Sequence, residues 1–366
     1  VHHIDDGFPV NTYTDKPTIT VPDTAHQKRA HNQQLHVIPG RRTYSMNTLA
    51  ASAEAILLLL GIGVVGYFML ARGIAKPDIL PYLSTLALEV SLPLYVFATL
   101  VQQFDPSTNG RWWAFPLWWA FFAAVTLLMA LVLGRTFPAD IRKESVVAMY
   151  LYNSLFVPLA LIVGLFGTTS VHVAELFLFT LFSVAFYFNF YPVLFRGRTE
   201  QAGPRGFARD WKKLFNPLIR MTLFTLAVIL LGWSAKIPTV IVSVAQKVGD
   251  LAFTLVMLTL GGYIYLDMRS AGRVRLGAVA QFVLFKNVVF PLVFLGIIYA
   301  LQPGYNVALL LTLSAAAPPL STIPILTARQ NGDVAISNQY LVASFLASIV
   351  TVPLMIVLLD RITSLA

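Results

Sequence analysis

The stretch Ala315-Ala316-Ala317-Pro318-Pro319-Leu320-Ser321-Thr322-Ile323-Pro324 interrupts an apolar run, Val307 to Ala328, long enough to cross a bilayer. Three prolines and two hydroxyls in this stretch do not suit a helix that faces lipid. Proline lacks a backbone N–H, and its ring clashes with the preceding turn. Hydrocarbon offers nothing to the freed backbone groups, so irregular chain at that depth survives only where protein buries it or where it lines a watery cavity. The segment predicts a helix broken near the midplane, the feature that points to a transport site.

The surrounding composition agrees. Hydrophobic residues make up 57% of the 366 and charged residues 12%, against about 45–50% and about 25% for a soluble domain. This is the composition of a polytopic, all-α integral membrane protein. Cysteine is absent, which excludes a disulfide framework, thiolate catalysis and a zinc–thiolate site. The net charge of +9 lies between apolar spans, as loop charge does, and does not call for nucleic acid.

Counting about 20 apolar residues per crossing gives ten segments: 50–71, 80–103, 112–134, 144–167, 173–195, 217–235, 239–266, 277–301, 306–329 and 336–359. The fourth and ninth contain helix-disfavouring residues. Residues 1–45 carry charge and five of the six histidines but no apolar run, and read as a disordered N-terminal tail. Met46 stands just before the first span; either it is the true start, or the tail is genuine and flexible. The expected organisation is this tail, a first five-helix repeat over 46–195, a short basic loop over 196–215, and a second, inverted five-helix repeat over 216–366.

Lysine and arginine concentrate on one set of loops: Arg72, Lys76, Arg135, Arg142, Lys143, six residues between Arg196 and Lys213, then Arg269, Arg273, Arg275 and Arg329. By the positive-inside rule these loops, 196–215 included, are cytoplasmic, and both termini of a multi-pass inner-membrane protein lie outside.

Shifting the chain by 161 positions lays Pro77 on Pro238, Pro158 on Pro319 and Pro192 on Pro353, and Glu89 on Asp250. Five spans per copy would put the second copy in the membrane upside down. The partner of the opening stretch is then Tyr150-Leu151-Tyr152-Asn153-Ser154-Leu155-Phe156-Val157-Pro158, an Asn–Ser pair ahead of a proline. Two broken helices crossing there would present half-helix N-termini, with unpaired N–H groups and positive dipole ends that favour a carboxylate. Each break taken alone could equally be a kink packed against its neighbours.

Four ionisable residues fall inside spans: Glu89, Lys247, Asp250 and Lys286. Lys247 and Asp250, three apart, are placed to pair on a helix. Glu89 has no local partner, and burial would make it a proton carrier. Lys286 is expected near the crossing, replacing a bound cation or meeting the substrate. Glu54 and Glu175, near span ends, read as solvated. Trp112, Trp113, Trp118 and Trp119 resemble an interfacial belt, and Gly61, Gly63 and Gly66 suit close helix packing.

Spans six to ten resemble the auxin efflux carrier family. The likeness rests on Asn216-Pro217-Leu218, on Gly249-Asp250 followed by Leu260-Gly261, and on Lys286 with Pro291. It continues through Ala316-Ala317-Pro318-Pro319 with Pro324 and Ala328-Arg329, then Ala347-Ser348 with Val352-Pro353-Leu354. Leu92-Pro93 and Asn153-Ser154 carry it, more loosely, into the first half. The resemblance spans roughly residues 50–360. It implies two inverted five-helix repeats with crossing broken helices, similar to the folds of bile-acid carriers and sodium–proton antiporters. A scaffold of spans one, two, six and seven, a moving domain from the rest, and a homodimer are implied with it. Family substrates are small organic anions, auxin in plants and dicarboxylates in bacteria; the shortness of 196–215 suits a bacterial-type member.

The expected function is secondary transport of a small organic anion by alternating access, with possible proton coupling and no cofactor or metal. Asn153, Ser154, Ser321 and Thr322 would contact the substrate, Pro158 and Pro319 would shape the gap, and Glu89, Asp250 and Lys286 would couple or balance charge. A sodium-coupled symporter and a cation/proton antiporter are the alternatives. An intramembrane enzyme or a non-transporting sensor are the rivals from other classes, and no nucleotide-binding motif supports a primary pump.

Overall fold

The computed structural model describes residues 47–107, 110–167, 170–195, 217–269 and 274–365. The tail 1–45, Met46 and the basic loop 196–215 lie outside the described residues. Regular structure among the described residues is entirely helical. The helices are α1 (Asn47–Ala71), α2 (Ile79–Gln103), α3 (Ala114–Gly134), α4 (Arg142–Tyr150), α5 (Phe156–Phe166), α6 (Val171–Phe179) and α7 (Ser183–Leu194). They continue as α8 (Pro217–Leu230), α9 (Thr239–Gly249), α10 (Leu251–Arg269), α11 (Leu276–Leu301), α12 (Tyr305–Ala316), α13 (Ile323–Ala328) and α14 (Val334–Leu365).

Five helical segments among the described residues are long and apolar enough to cross a membrane: Ile79–Gln103, Ala114–Gly134, Thr239–Leu266, Leu276–Leu301 and Val334–Ser364. Shorter apolar helices, among them Phe156–Phe166, Pro217–Leu230 and Tyr305–Ala316, account for other apolar stretches. The apolar run over 144–167 is divided between α4 and α5, and that over 306–329 between α12 and α13. The run over 173–195, expected to be continuous, is also divided. Thr180 and Ser183 return their hydroxyls to the Leu176 and Thr180 carbonyls, a local bond that competes with the helical ladder.

Proline acts differently in α2 and α11. Each helix stays continuous but widens into a π turn, Leu86–Ser91 and Leu284–Val289, just before Leu92-Pro93 and Phe290-Pro291. Widening relieves the clash between the proline ring and the preceding turn without breaking the helix.

Helices α1, α2, α8, α9 and α10 pack together, α1 along α10 and α2 against α8, α9 and α10. The α1–α10 contact is a backbone approach. A Cβ added at Gly261 would lie 1.7 Å from the Gly63 carbonyl oxygen, and one at Gly66 would lie 2.1 Å from that of Leu258. Small residues allow such approach, and apolar helices gain dispersion contact from it. Gly61, expected to share this role, faces open space.

Helices α3, α4, α11, α12, α13 and α14 form further contacts around the two breaks. At the end of the molecule near α4, Arg275 pairs with Asp140, and Gln281 donates to Thr136. The Arg275 hydrogen bond holds the Asp140 carboxyl below its usual range. A lowered folded-state pKa contributes stability above the unfolded value, about pH 4, and loses it as pH falls through the folded value. The melting temperatures of the unmodified protein and Asp140→Asn are therefore expected to differ more at pH 7 than at pH 3. Both side chains are exposed, so the difference is small.

Candidate functional site

The two breaks meet. Asn153 N–H donates to the Pro318 carbonyl at 2.8 Å, and Leu320 N–H donates to the Leu151 carbonyl at 2.8 Å. Tyr152 and Pro319 face each other between these bonds as an isolated antiparallel bridge. Proline suits that position, because the flanking residues make the hydrogen bonds and its own missing N–H is not required. Backbone groups freed by one break are thus satisfied by the other. The breaks, 151–155 and 317–322, begin 166 positions apart, not 161. Pro158 is the third residue of α5, much as Pro324 is the second of α13, whereas Pro319 lies in the break itself.

Asn153 and Ser154 are buried beside the bridge. Asn153 Oδ1 accepts from Phe156 N–H, the first of α5, at 3.0 Å and so caps the helix from two residues ahead of its N-cap position, Leu155. Unpaired N–H groups were expected at this half-helix end; the Asn153 side chain takes one, and Pro158 offers none. The amide has a second use. With Oδ1 turned to α5, Nδ2 is buried with no hydrogen-bond partner among the described residues. Thr322 Oγ1 is in the same state across the crossing. Ser154 Oγ lies 3.3 Å from Ser183 Oγ. Ser321 and Thr322 are half-buried in the turn that leads into α13.

Lys286, on the π turn of α11, reaches the same place. Its side chain is 1% exposed. Nζ donates to the Ala315 carbonyl at 3.0 Å, in the last turn of α12, and lies 5.6 Å from the Tyr152 ring centroid and 5.2 Å from that of Phe290. A cation at the C-terminal end of a half-helix meets the negative end of its dipole, and the two aromatic faces add to the attraction. The next residue, Asn287, is tied to α14: Ser344 Oγ donates to its Oδ1 at 2.7 Å, and its Nδ2 donates to the Ser344 carbonyl at 3.1 Å.

The two other intramembrane candidates are elsewhere. Glu89 is exposed on the outer face of the α2 π turn and not buried. Asp250 is exposed at the junction of α9 and α10, where Gln246 Nε2 donates to its Oδ1 at 2.7 Å. Among the described residues no ion pair joins it to Lys247; Gln246, one turn back, takes the place that spacing assigned to the lysine. Asp250 borders a cavity of about 270 Å³ between α5 and the α1, α2, α9 and α10 group, with Tyr95, Phe156, Ala160, Gly164 and Phe253 among its walls. The lining is almost wholly apolar.

Some buried polar residues carry no signal of their burial in the sequence. Glu175, expected to be solvated, is fully buried. It accepts from Asn306 Nδ2 at 2.6 Å and lies 3.0 Å from His172 Nδ1, joining the start of α6 to the start of α12. Glu175→Leu is expected to destabilise the protein by about 1–3 kcal/mol through the partners it abandons. Glu54→Leu, at an exposed site, should stay within about 0.5 kcal/mol; thermal melts of the two variants compare them. Glu144, also fully buried, accepts from Asp333 N–H at 2.8 Å. Trp119 leaves the expected interfacial belt for the core, against Phe186 and Tyr187. Position near a span end signals exposure only on average. These side chains are buried by helices distant in sequence.

The sequence model of the membrane transport protein family, Mem_trans, matches residues 51–204 and 207–356. The chain belongs to this family. It is the auxin efflux carrier family whose resemblance the motifs carry, and the two matched stretches adjoin within the basic loop. A comparison with curated proteins finds no significant match. Family and helices together make the chain a multi-pass membrane protein of a transporter family.

Proposed function

We propose that this family member is a secondary carrier that moves a small organic anion past the crossing of the two breaks by alternating access. The observation that carries the reading is that Lys286 and Asn153 both border the crossing, Lys286 through the Ala315 carbonyl and the Tyr152 ring and Asn153 through the Pro318 carbonyl. One brings a buried amine that can carry a proton, and the other an amide donor without a partner among the described residues. Unpaired buried donors cost about 1–3 kcal/mol each, and a buried charge costs more. A carboxylate satisfies both groups, and Thr322 Oγ1 can donate to it from the opposite break.

In this reading Asn153, Ser154, Ser321 and Thr322 contact the carboxylate, and Pro158 and Pro319 keep the backbone open around it. The apolar cavity beside α5 receives the apolar part of the molecule. Its volume, just under the usual lower range of about 300 Å³ for ligand pockets, suits a small substrate. Helices α1, α2, α8, α9 and α10 act as the scaffold against which the crossing moves. Ten spans in two inverted repeats, a homodimer, an inner-membrane location with the loop 196–215 cytoplasmic and both termini outside complete the reading. Lysine and arginine asymmetry supports the orientation.

The test is counterflow in proteoliposomes. Vesicles loaded with unlabelled succinate or indole-3-acetate are expected to accumulate the labelled form of one of them transiently, and vesicles without protein are not. Absence of counterflow with both probes would sink the reading.

A further inference from the structure

Among the described residues, Lys286 has a hydrogen-bond acceptor and two aromatic faces but no carboxylate partner. The π turn that carries it packs on the rest of α11 and on α12 and α14. The titratable or charged side chains on those helices are Tyr299, Tyr305, Tyr340, Asp360 and Arg361, and Tyr152 faces it from the break. The one acid in that set, Asp360, lies far along α14 from Ser344, which bonds to Asn287. Sixteen residues of helical rise separate the two, about 24 Å. The acids that could have shared the role, Glu89 and Asp250, are exposed on other helices.

The C-terminal end of a half-helix is where carriers of broken-helix type hold a coupling cation. Here the Ala315 carbonyl in the last turn of α12 is already bonded by Lys286 Nζ. We propose that Lys286 is the resident cation of the crossing, and that gain and loss of a proton at its Nζ couples anion transport to protons and not to sodium. The inference rests on the transport reading above. With Nζ protonated, the crossing offers a counter-charge and the anion binds. With Nζ neutral, the counter-charge is gone and the anion leaves. An amine is uncharged without its proton, so the unloaded crossing can return without a buried, unbalanced charge. One proton then accompanies each anion.

Lys286→Arg and Lys286→Met test this from opposite sides. Arginine keeps the charge but does not release a proton in proteins. Methionine keeps the length and has no charge. In proteoliposomes, the unmodified chain is expected to accumulate labelled succinate or indole-3-acetate under an inward proton gradient, equally in sodium and in choline. Lys286→Arg should retain counterflow and lose gradient-driven accumulation. Lys286→Met should lose it too, with the half-saturating concentration for counterflow raised by about tenfold or more. Accumulation that persists under the proton gradient in either variant overturns the proposal, as does uptake by the unmodified chain that requires sodium. Thermal melts of the unmodified protein in sodium chloride and in choline chloride give a readout free of substrate. Equal melting temperatures support the proposal, and stabilisation by sodium overturns it. Lack of counterflow in the unmodified chain sinks the transport reading instead, and the melts still decide whether sodium has a place.

Discussion

Gly261→Leu is expected to cost the protein its fold. A Cβ at this position would sit 1.7 Å from the Gly63 carbonyl oxygen, less than half of an ordinary contact distance. The obstacle is backbone, so no rotamer change relieves it. Helices α1 and α10 must separate along their length, and α1 also packs on α5 and α14. Overpacking a core by side-chain methylenes costs about 1–3 kcal/mol, and occasionally more; moving two backbones apart belongs at the upper end or beyond. Gly61→Leu is the control, because nothing lies within 4 Å of a Cβ there. The expected result is loss of monodisperse protein in detergent for Gly261→Leu, with Gly61→Leu eluting and melting like the unmodified chain. Equal behaviour of the two would show that the α1–α10 approach is not as close as described.

Asn153→Ala is expected to separate stability from transport. Oδ1 caps α5, and loss of a cap costs about 1 kcal/mol, too little to unfold a membrane protein of this size. Nδ2, the unpartnered donor at the crossing, is lost in the same change. Counterflow in Asn153→Ala should fall by about tenfold or more if a charged acceptor binds there, since a hydrogen bond to a charge is worth about 1.5–3 kcal/mol. Asn153→Asp keeps the cap but replaces the donor with a carboxylate. It should be as stable as the unmodified chain and still fail in counterflow, because two carboxylates would face each other. A stable, fully active Asn153→Asp would remove this side chain from the anion's path.

Parts of this site were readable from the chain because they break a rule of the hydrocarbon core. Pro318 and Pro319 in an apolar run cannot continue a helix, and Asn153-Ser154 ahead of Pro158 repeats the anomaly in the first half. A lysine ten residues into an apolar helix demanded a reason in the same way. Spacing misled where one position was asked to settle exposure. Glu89 lies mid-helix, yet the turn that Pro93 widens faces it outward. Asp250 is one turn from Gln246 and three residues from Lys247, and the side chain that reached it was the glutamine. Glu175 near a helix start proved fully buried, because α12, distant in sequence, brings Asn306 over it.

What the sequence alone determined is the solvent: apolar runs of bilayer length with charge confined between them dictate helices in a membrane. Adjacent prolines with hydroxyls, or an Asn–Ser pair ahead of a proline, mark two of those runs as broken, whereas the isolated prolines of α2, α11 and α14 leave their helices continuous. Which atoms meet at the breaks was decided only in three dimensions. The bonds between Asn153 and Pro318 and between Leu320 and Leu151 join residues more than 160 positions apart, and Lys286 finds the Ala315 carbonyl across a separate helix. Local propensity fixes where a helix must stop. The partner for the groups it frees is chosen by packing, since in a core without water only another part of the chain can supply it.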